Sequence, residues 1–120
     1  MSKPHIACID DEREILDLLT ILLEPLEVEV FTTTRATELL DHLEDNPVNL
    51  VILDLVMPVI TGIELLYTIR TRYEKIKCIV LSGAGEKRLI RESILLSETY
   101  IEKPFDNHQF VEEIRSTLNL

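Results

Sequence analysis

A chain of 120 residues with 46% hydrophobic side chains and three glycines is long enough for one buried core and too apolar for a disordered segment. Its net charge of −10 excludes roles that rest on neutralising nucleic-acid phosphates or anionic lipid, and favours a protein or a cation as partner. No stretch approaches the roughly 18 apolar residues of a membrane span, and Met1, Ser2, Lys3, Pro4 and His5 lack the apolar region of a secretory signal, so a soluble cytoplasmic domain is expected.

Five apolar runs of strand length follow one another: 5–10 (HIACID), 27–31 (EVEVF), 49–54 (NLVILD), 77–82 (KCIVLS) and 99–102 (TYIE). Segments of helical spacing alternate with them. The first carries Ile15, Leu18, Leu19 and Leu22; the second Ala36, Leu39, Leu40 and Leu43; the third Leu65, Leu66 and Ile69. The fourth carries Ile90 and Ile94, and the last Phe110, Ile114 and Leu118. Pro25 and Pro47 close the first two helices, while Thr61 with Glu64 and Asp106 with Gln109 have the spacing of capping boxes. Strand followed by helix five times over implies right-handed crossovers and a parallel sheet covered on both faces, a doubly wound α/β fold. No linker, charge block or repeat interrupts the pattern, so residues 1–120 are expected to form one domain. Cys8 and Cys78 lie inside apolar runs and are expected to be free thiols used as small apolar fillers.

In open parallel sheets the ligand crevice lies beyond the carboxyl ends of the strands. The first strand closes on Asp10 and Asp11, the third on Asp54, the fourth on Ser82, and Lys103 with Pro104 follows the fifth. Three carboxylates brought close together repel, and a hard divalent cation relieves the repulsion. Two carboxylates and a backbone carbonyl from the loop after Asp54 make a suitable partial shell for Mg²⁺. A carboxylate beside such an ion is a competent nucleophile toward phosphorus, with the Lys103 ammonium and the Ser82 hydroxyl placed to meet phosphoryl oxygens. The chemistry this set suits is phosphoryl transfer, most of it by positioning and electrostatics.

These residues resemble the response-regulator receiver family of two-component signalling: the acidic pair Asp10 and Asp11, then Asp54, Met57, Pro58 and Gly62 in the run DLVMPVITG, then Ser82, then Lys103 and Pro104. The match spans essentially the whole chain. The resemblance implies a flavodoxin-like five-stranded sheet in the order 2-1-3-4-5 with five helices. It further implies Asp54 as phosphoryl acceptor, Asp11 as a direct ligand of Mg²⁺ (or Mn²⁺), Asp10 as a ligand acting mainly through water, and Val56 as donor of a backbone carbonyl. Lys103 would contact the phosphoryl group, Ser82 would turn inward to meet it, and Tyr100 resembles the aromatic that moves in concert. The Lys103–Pro104 bond is expected to be cis. The implied partners are a histidine kinase or histidine phosphotransfer protein and a downstream protein target, with the chain a monomer or a phosphorylation-linked dimer. The surface formed by the fourth helix, fifth strand and fifth helix is the family's usual output face. The implied activity is a switch that catalyses only its own phosphorylation and dephosphorylation. Val56 and Ala84 offer no polar group to orient an attacking water, so a long-lived phosphoryl group is expected. Leu96 and Ser97 depart from the Gly-Ala pair that often precedes the fifth strand, and Ser82 replaces the commoner Thr.

Taken singly, each residue has a plainer reading. The acidic run 10–12 suits the positive end of the first helix, Lys103 a solvated side chain, Ser82 a turn before Gly83, and Tyr100 a filler. His5, His42 and His108 read as surface or packing residues, and Lys87, Arg88 and Arg91 as a solvated face. Rival functions are a docking module that is never phosphorylated, a phosphatase with an Asp nucleophile, and a flavin carrier. Such phosphatases usually carry a second Asp where Val56 stands, and Gly83 and Gly85 lack the length and Lys of a nucleotide-binding loop.

Overall fold

The computed structural model of the protein describes residues 3–57, 61–83 and 87–120. Its strands are β1 (His5–Ile9), β2 (Glu29–Thr33), β3 (Leu50–Asp54), β4 (Lys77–Gly83) and β5 (Thr99–Lys103). Its α-helices are α1 (Arg13–Leu23), α2 (Ala36–Asp45), α3 (Gly62–Arg72), α4 (Lys87–Ser93) and α5 (Asn107–Leu118). The strands pair in parallel in the order β2-β1-β3-β4-β5, the flavodoxin-like arrangement that the resemblance implied.

Period-two alternation divides the core into two layers. Ala7, Ile9, Val51, Leu53, Cys78 and Val80 face α2 and α3 on one side of the sheet. Ile6, Cys8, Leu50, Ile52, Ile79, Leu81 and Ile101 face α1 and α5 on the other. All five residues of β3 are buried, because the central strand has a helical layer over each face. Cys8 and Cys78 are free and buried, on strands that are not neighbours and in different layers. Burial pushes the Cys8 thiol up to about 12, with nearby Asp10 adding to the shift, so it behaves as an apolar filler.

Thr61 and Glu64 form a reciprocal capping box at the start of α3. Asp106 accepts from the His108 and Gln109 amides at 2.7 and 3.1 Å; no bond from the Gln109 side chain back to the Asp106 amide occurs among the described residues, so this is a simple cap. Pro25 lies in a single 3-10 turn, Glu24–Leu26, directly after α1.

Three expectations need correction. β2 begins at Glu29 and runs to Thr33, two residues later than the apolar run, because Glu27 adopts a left-handed φ of 57° that ends the 3-10 turn and keeps the chain out of the sheet there. The buried stripe of α1 is Leu16, Leu19 and Leu23, with Ile15 and Leu22 at its margin; the sequence ILDLLTILL is apolar nearly all round, so spacing alone leaves its rotation open. α4 ends at Ser93, and Ile94 lies beyond it and is exposed. There the chain folds back on one carbonyl, since the amides of Leu96 and Ser97 and the Ser97 hydroxyl all donate to Ser93 O. Leu96 and Ser97, the departure from the family pattern, therefore close this turn, and Leu96 packs against the α2 and α3 layer. Pro58, Ala84 and Gly85, and the side chains of Lys87 and Ile90, lie outside the described residues.

Candidate functional site

The carboxyl edge of the sheet brings the polar strand ends together. Asp10 follows β1 and is fully buried, Asp54 closes β3 and is nearly so, and Lys103 closes β5. The Lys103 Nζ donates to Asp10 Oδ2 at 3.0 Å and to Asp54 Oδ2 at 3.2 Å, tying three non-consecutive strands through one ammonium. Each acid's second oxygen also has a partner. The Glu12 amide donates to Asp10 Oδ1 at 2.9 Å, and the Val56 amide to Asp54 Oδ1 at 3.3 Å. These turn bonds hold both carboxylates toward the crevice.

Strand register accounts for the convergence. Asp54 pairs with Leu81, Ser82 with Glu102 and Gly83 with Lys103, so the last residues of β3, β4 and β5 step across the edge in sequence. Gly62 closes the loop after β3: its amide donates to Leu55 O at 2.8 Å, and a Cβ there would stand 2.0 Å from Asp54 O. Only a residue without a side chain permits α3 to start this close to the acid. The Lys103–Pro104 bond is cis, as expected.

Burial pushes the Asp10 carboxyl up to about 6, against the lowering effect of the Glu12 amide and of Lys103, and the charge on Asp54 adds to the rise. Burial pulls Lys103 down, but the bonds to Asp10 and the charges of both acids outweigh it and leave its ammonium held above the ordinary lysine range. Among the described residues Lys103 is the cation bonded to both acids.

Asp11 is exposed, yet its carboxylate, that of Asp10 and that of Glu12 have oxygens within 4.8 Å of one another. Glu12 was not among the expected ligands, although its adjacency to the acidic pair was the available signal. The donors are all hard oxygens, and Asp10 and Asp54 raise the density of negative charge beside them, which a cation would offset. Both features fit Mg²⁺ better than a thiophilic metal.

Ser82 is fully buried, with its hydroxyl donating to Gly83 O at 3.3 Å; no bond to Asp54 occurs among the described residues. Val56 and Tyr100 are both exposed, at 46% and 42%, so the Tyr100 ring stands outward rather than filling the core. Arg88 pairs with Glu92 one turn on and Arg91 is exposed, which agrees with a solvated face on α4. His5 and His42, read as surface or packing residues, pack against each other with their rings in contact.

A family model described as the response regulator receiver domain matches residues 6–115. The phosphate regulon transcriptional regulatory protein PhoB of Rhizobium meliloti (strain 1021) is 31% identical over 96% of this chain and 52% of its own length. The transcriptional regulatory protein CpxR of Escherichia coli (strain K12) is 30% identical over 94% of this chain and 48% of its own. The chain therefore spans about half the length of these curated relatives. Among solved structures, the signal receiver domain of an HD domain-containing protein from Pseudomonas fluorescens Pf-5 superposes with a TM-score of 0.92 at 30% identity, covering 98% of this chain and 95% of that one. A CheY-like receiver domain protein from Methanospirillum hungatei JF-1 also gives 0.92, at 28% identity and the same coverage. Receiver domains generally take phosphoryl groups from kinases, bind Mg²⁺ through an acidic pocket, act on downstream targets and are not free-standing enzymes. Sequence motif, strand order and crevice agree with the family match, and the chain belongs to the response regulator receiver domain family of two-component signalling.

Proposed function

We propose that this receiver is a phosphorylation-activated switch in which Asp54 takes a phosphoryl group from a phosphohistidine of a sensor kinase or phosphotransfer protein. The observation that carries the reading is the Lys103 ammonium bridging Asp10 and Asp54 at 3.0 and 3.2 Å. In the transfer an Asp54 carboxylate oxygen forms a bond to phosphorus as the phosphorus–nitrogen bond breaks, and the donor imidazole leaves with the electron pair. The Asp54 side chain is 9% exposed, enough for a donor to approach from the crevice and too little for bulk water to hydrate both oxygens.

Asp10, Asp11, Asp54 and the Val56 carbonyl are the residues assigned to hold Mg²⁺ or Mn²⁺, with Glu12 beside them. The bound ion supplies charge that offsets the phosphoryl oxygens. Lys103 supplies the second positive group, and once Asp54 carries the phosphoryl group its ammonium has new acceptors. Ser82 is assigned to exchange its bond to Gly83 O for a phosphoryl oxygen. Tyr100, three residues ahead of Lys103 on the same strand, is assigned to follow by moving inward from its exposed position. Phosphorylation then biases two pre-existing arrangements of the surface made by α4, β5 and α5, which a downstream protein reads.

The reading places the protein in the cytoplasm with its kinase, as a single receiver over residues 1–120, monomeric or dimerising on phosphorylation; among the described residues no helix is long and apolar enough to cross a membrane. The exposed, apolar Val56 gives an attacking water no partner, so a long-lived phosphoryl group is expected. Incubation with a small phosphodonor and Mg²⁺, read by intact mass, adds one phosphoryl group to the wild type and none to Asp54→Asn. Equal labelling of the two proteins refutes the assignment.

A further inference from the structure

His5 and His42 come from opposite ends of two elements, the first residue of β1 and the last turn of α2, and their Nε2 atoms lie 3.0 Å apart. The pair is at the amino edge of the sheet. Five residue steps along β1, about 16 Å at the rise of an extended strand, separate His5 from Asp10, so the phosphoryl site makes no use of either ring.

The His42 ring is held by groups other than His5, and the His5 backbone is anchored beside it. His42 stacks on Phe31 of β2 at 3.8 Å with the planes 5° apart, and its Nδ1 lies 3.2 Å from the Asn46 side-chain amide. The His5 backbone amide donates to Asn49 Oδ1 at 2.8 Å, and its Nδ1 stands 3.7 Å from the Glu29 carboxylate. Both residues are half-buried, so the pair is sheltered while water still reaches it. Two imidazole nitrogens bound to one cation at the usual bond length of about 2.0 Å sit roughly 2.8 Å apart at right-angled positions and roughly 3.3 Å apart at tetrahedral ones. The observed separation falls between these values.

We propose that His5 and His42 form a two-imidazole site for a borderline divalent transition cation of the Zn²⁺, Cu²⁺ or Ni²⁺ type, with water in the remaining positions. Imidazole selects such ions over Mg²⁺, so this site and the oxygen-lined acidic pocket take different metals. The Glu29 carboxylate, 3.7 Å from His5 Nδ1, lies just beyond hydrogen-bond distance, and a small movement of its exposed side chain would make it the outer partner that orients a ligating imidazole. The protons balance within the pair. In the free protein one Nε2 carries the hydrogen directed at the other; on loading, each ring keeps a single hydrogen, now on Nδ1. The His5 hydrogen faces Glu29. That of His42 faces Asn46, whose amide turns over to present its oxygen and gives up the 3.1 Å bond from Nδ2 to His42 O. Both rings stay neutral and no proton is released.

The test titrates the full chain with Cu²⁺, then with Zn²⁺, in excess Mg²⁺ that fills the acidic pocket. One equivalent of Cu²⁺ is expected to give an electron paramagnetic resonance spectrum with hyperfine splitting from two imidazole nitrogens. Calorimetry with Zn²⁺ is expected to lose about tenfold or more in affinity in His5→Gln and in His42→Gln, each checked for folding by circular dichroism. A spectrum of oxygen ligation alone, or an affinity indifferent to both substitutions, overturns the site. Should either variant fail to fold, ring-nitrogen shifts of the wild type decide: Zn²⁺ must move the Nε2 signals of His5 and His42 and leave that of exposed His108 in place, and unmoved signals from the pair refute the proposal.

Discussion

Replacing Lys103 by Met keeps most of the stem and removes an ammonium that Asp10 and Asp54 share. Breaking a buried ion pair ordinarily costs about 3–5 kcal/mol, because it leaves an uncompensated charge. Asp10 has an escape, which caps the loss. Its carboxyl stands at about 6 in the folded protein, so taking up a proton at pH 7.5 costs about 2 kcal/mol. The loss at Asp54, whose side chain keeps some contact with water, adds about 1 kcal/mol. The expected destabilisation at pH 7.5 is thus about 2–3 kcal/mol, a fall of roughly 10 °C in Tm for a domain of this length. At pH 5 Asp10 is already largely protonated in the wild type, and the loss shrinks to about 1 kcal/mol. The sign follows from the raised carboxyl: folded Asp10 binds protons more readily than unfolded Asp10 between its ordinary value near 4 and about 6, so its unfavourable contribution fades as pH falls through that window. In the variant that window extends upward, since the lowering effect of Lys103 is gone. Urea denaturation of both proteins in metal-free buffer at the two pH values measures this. Equal losses at pH 7.5 and pH 5, or a variant as stable as the wild type at pH 7.5, would refute the electrostatic account of the site.

Gly62→Ala places a Cβ 2.0 Å from Asp54 O and 2.5 Å from Leu55 Cα, both backbone atoms that cannot swing aside; a loss of about 1–3 kcal/mol or more in urea titration is expected, with phosphoryl uptake reduced in the fraction that stays folded. Mg²⁺ at about 100 times its Kd should stabilise the wild type by about 2.7 kcal/mol, and Asp11→Asn should lose most of that gain in a thermal melt. Asp106→Ala removes the acceptor for two amides of α5 and should cost about 1 kcal/mol, seen as a lower urea midpoint. Burial, and then the neighbouring His5, lower the His42 pKa against a smaller opposing effect of Asp45. Its share of stability is therefore whole above its ordinary value near 6.5 and declines as pH falls below it, with Glu29 as the other charged group facing the pair. The difference in urea midpoint between wild type and His42→Gln should narrow from pH 7.5 to pH 5.5.

The sequence was most legible where one physical signal dominated. The unbroken apolar run Leu50–Leu53 marked a central strand, and Asp54 at its end fell in the crevice because that crevice lies beyond the carboxyl ends of the strands in an open parallel sheet. Thr61 with Glu64 marked the start of α3 through a local hydrogen-bond pattern that needs no tertiary partner. Competing signals blurred the rest. The start of β2 depended on the backbone of Glu27, a residue whose type gives no hint of a left-handed turn. The face of α1 depended on packing, because its apolar residues circle the helix. The meeting of His5 and His42 depended on β1 lying beside α2, a distance in sequence over which residue spacing carries no information.

Of the five residues in β5, Ile101 alone is buried, packed in the α1 and α5 layer two positions before Lys103. Side chains at that interval share a face, so a single hydrophobic peg sets the rotation and stagger that deliver the ammonium to its two acids. A slip of one residue would seat Tyr100 or Glu102 in that socket and send Lys103 outward. The placement of Lys103 at this edge therefore leans on one isoleucine as well as on the pairing of β5 with β4, and erosion of that side chain's volume would loosen the crevice and the fold together.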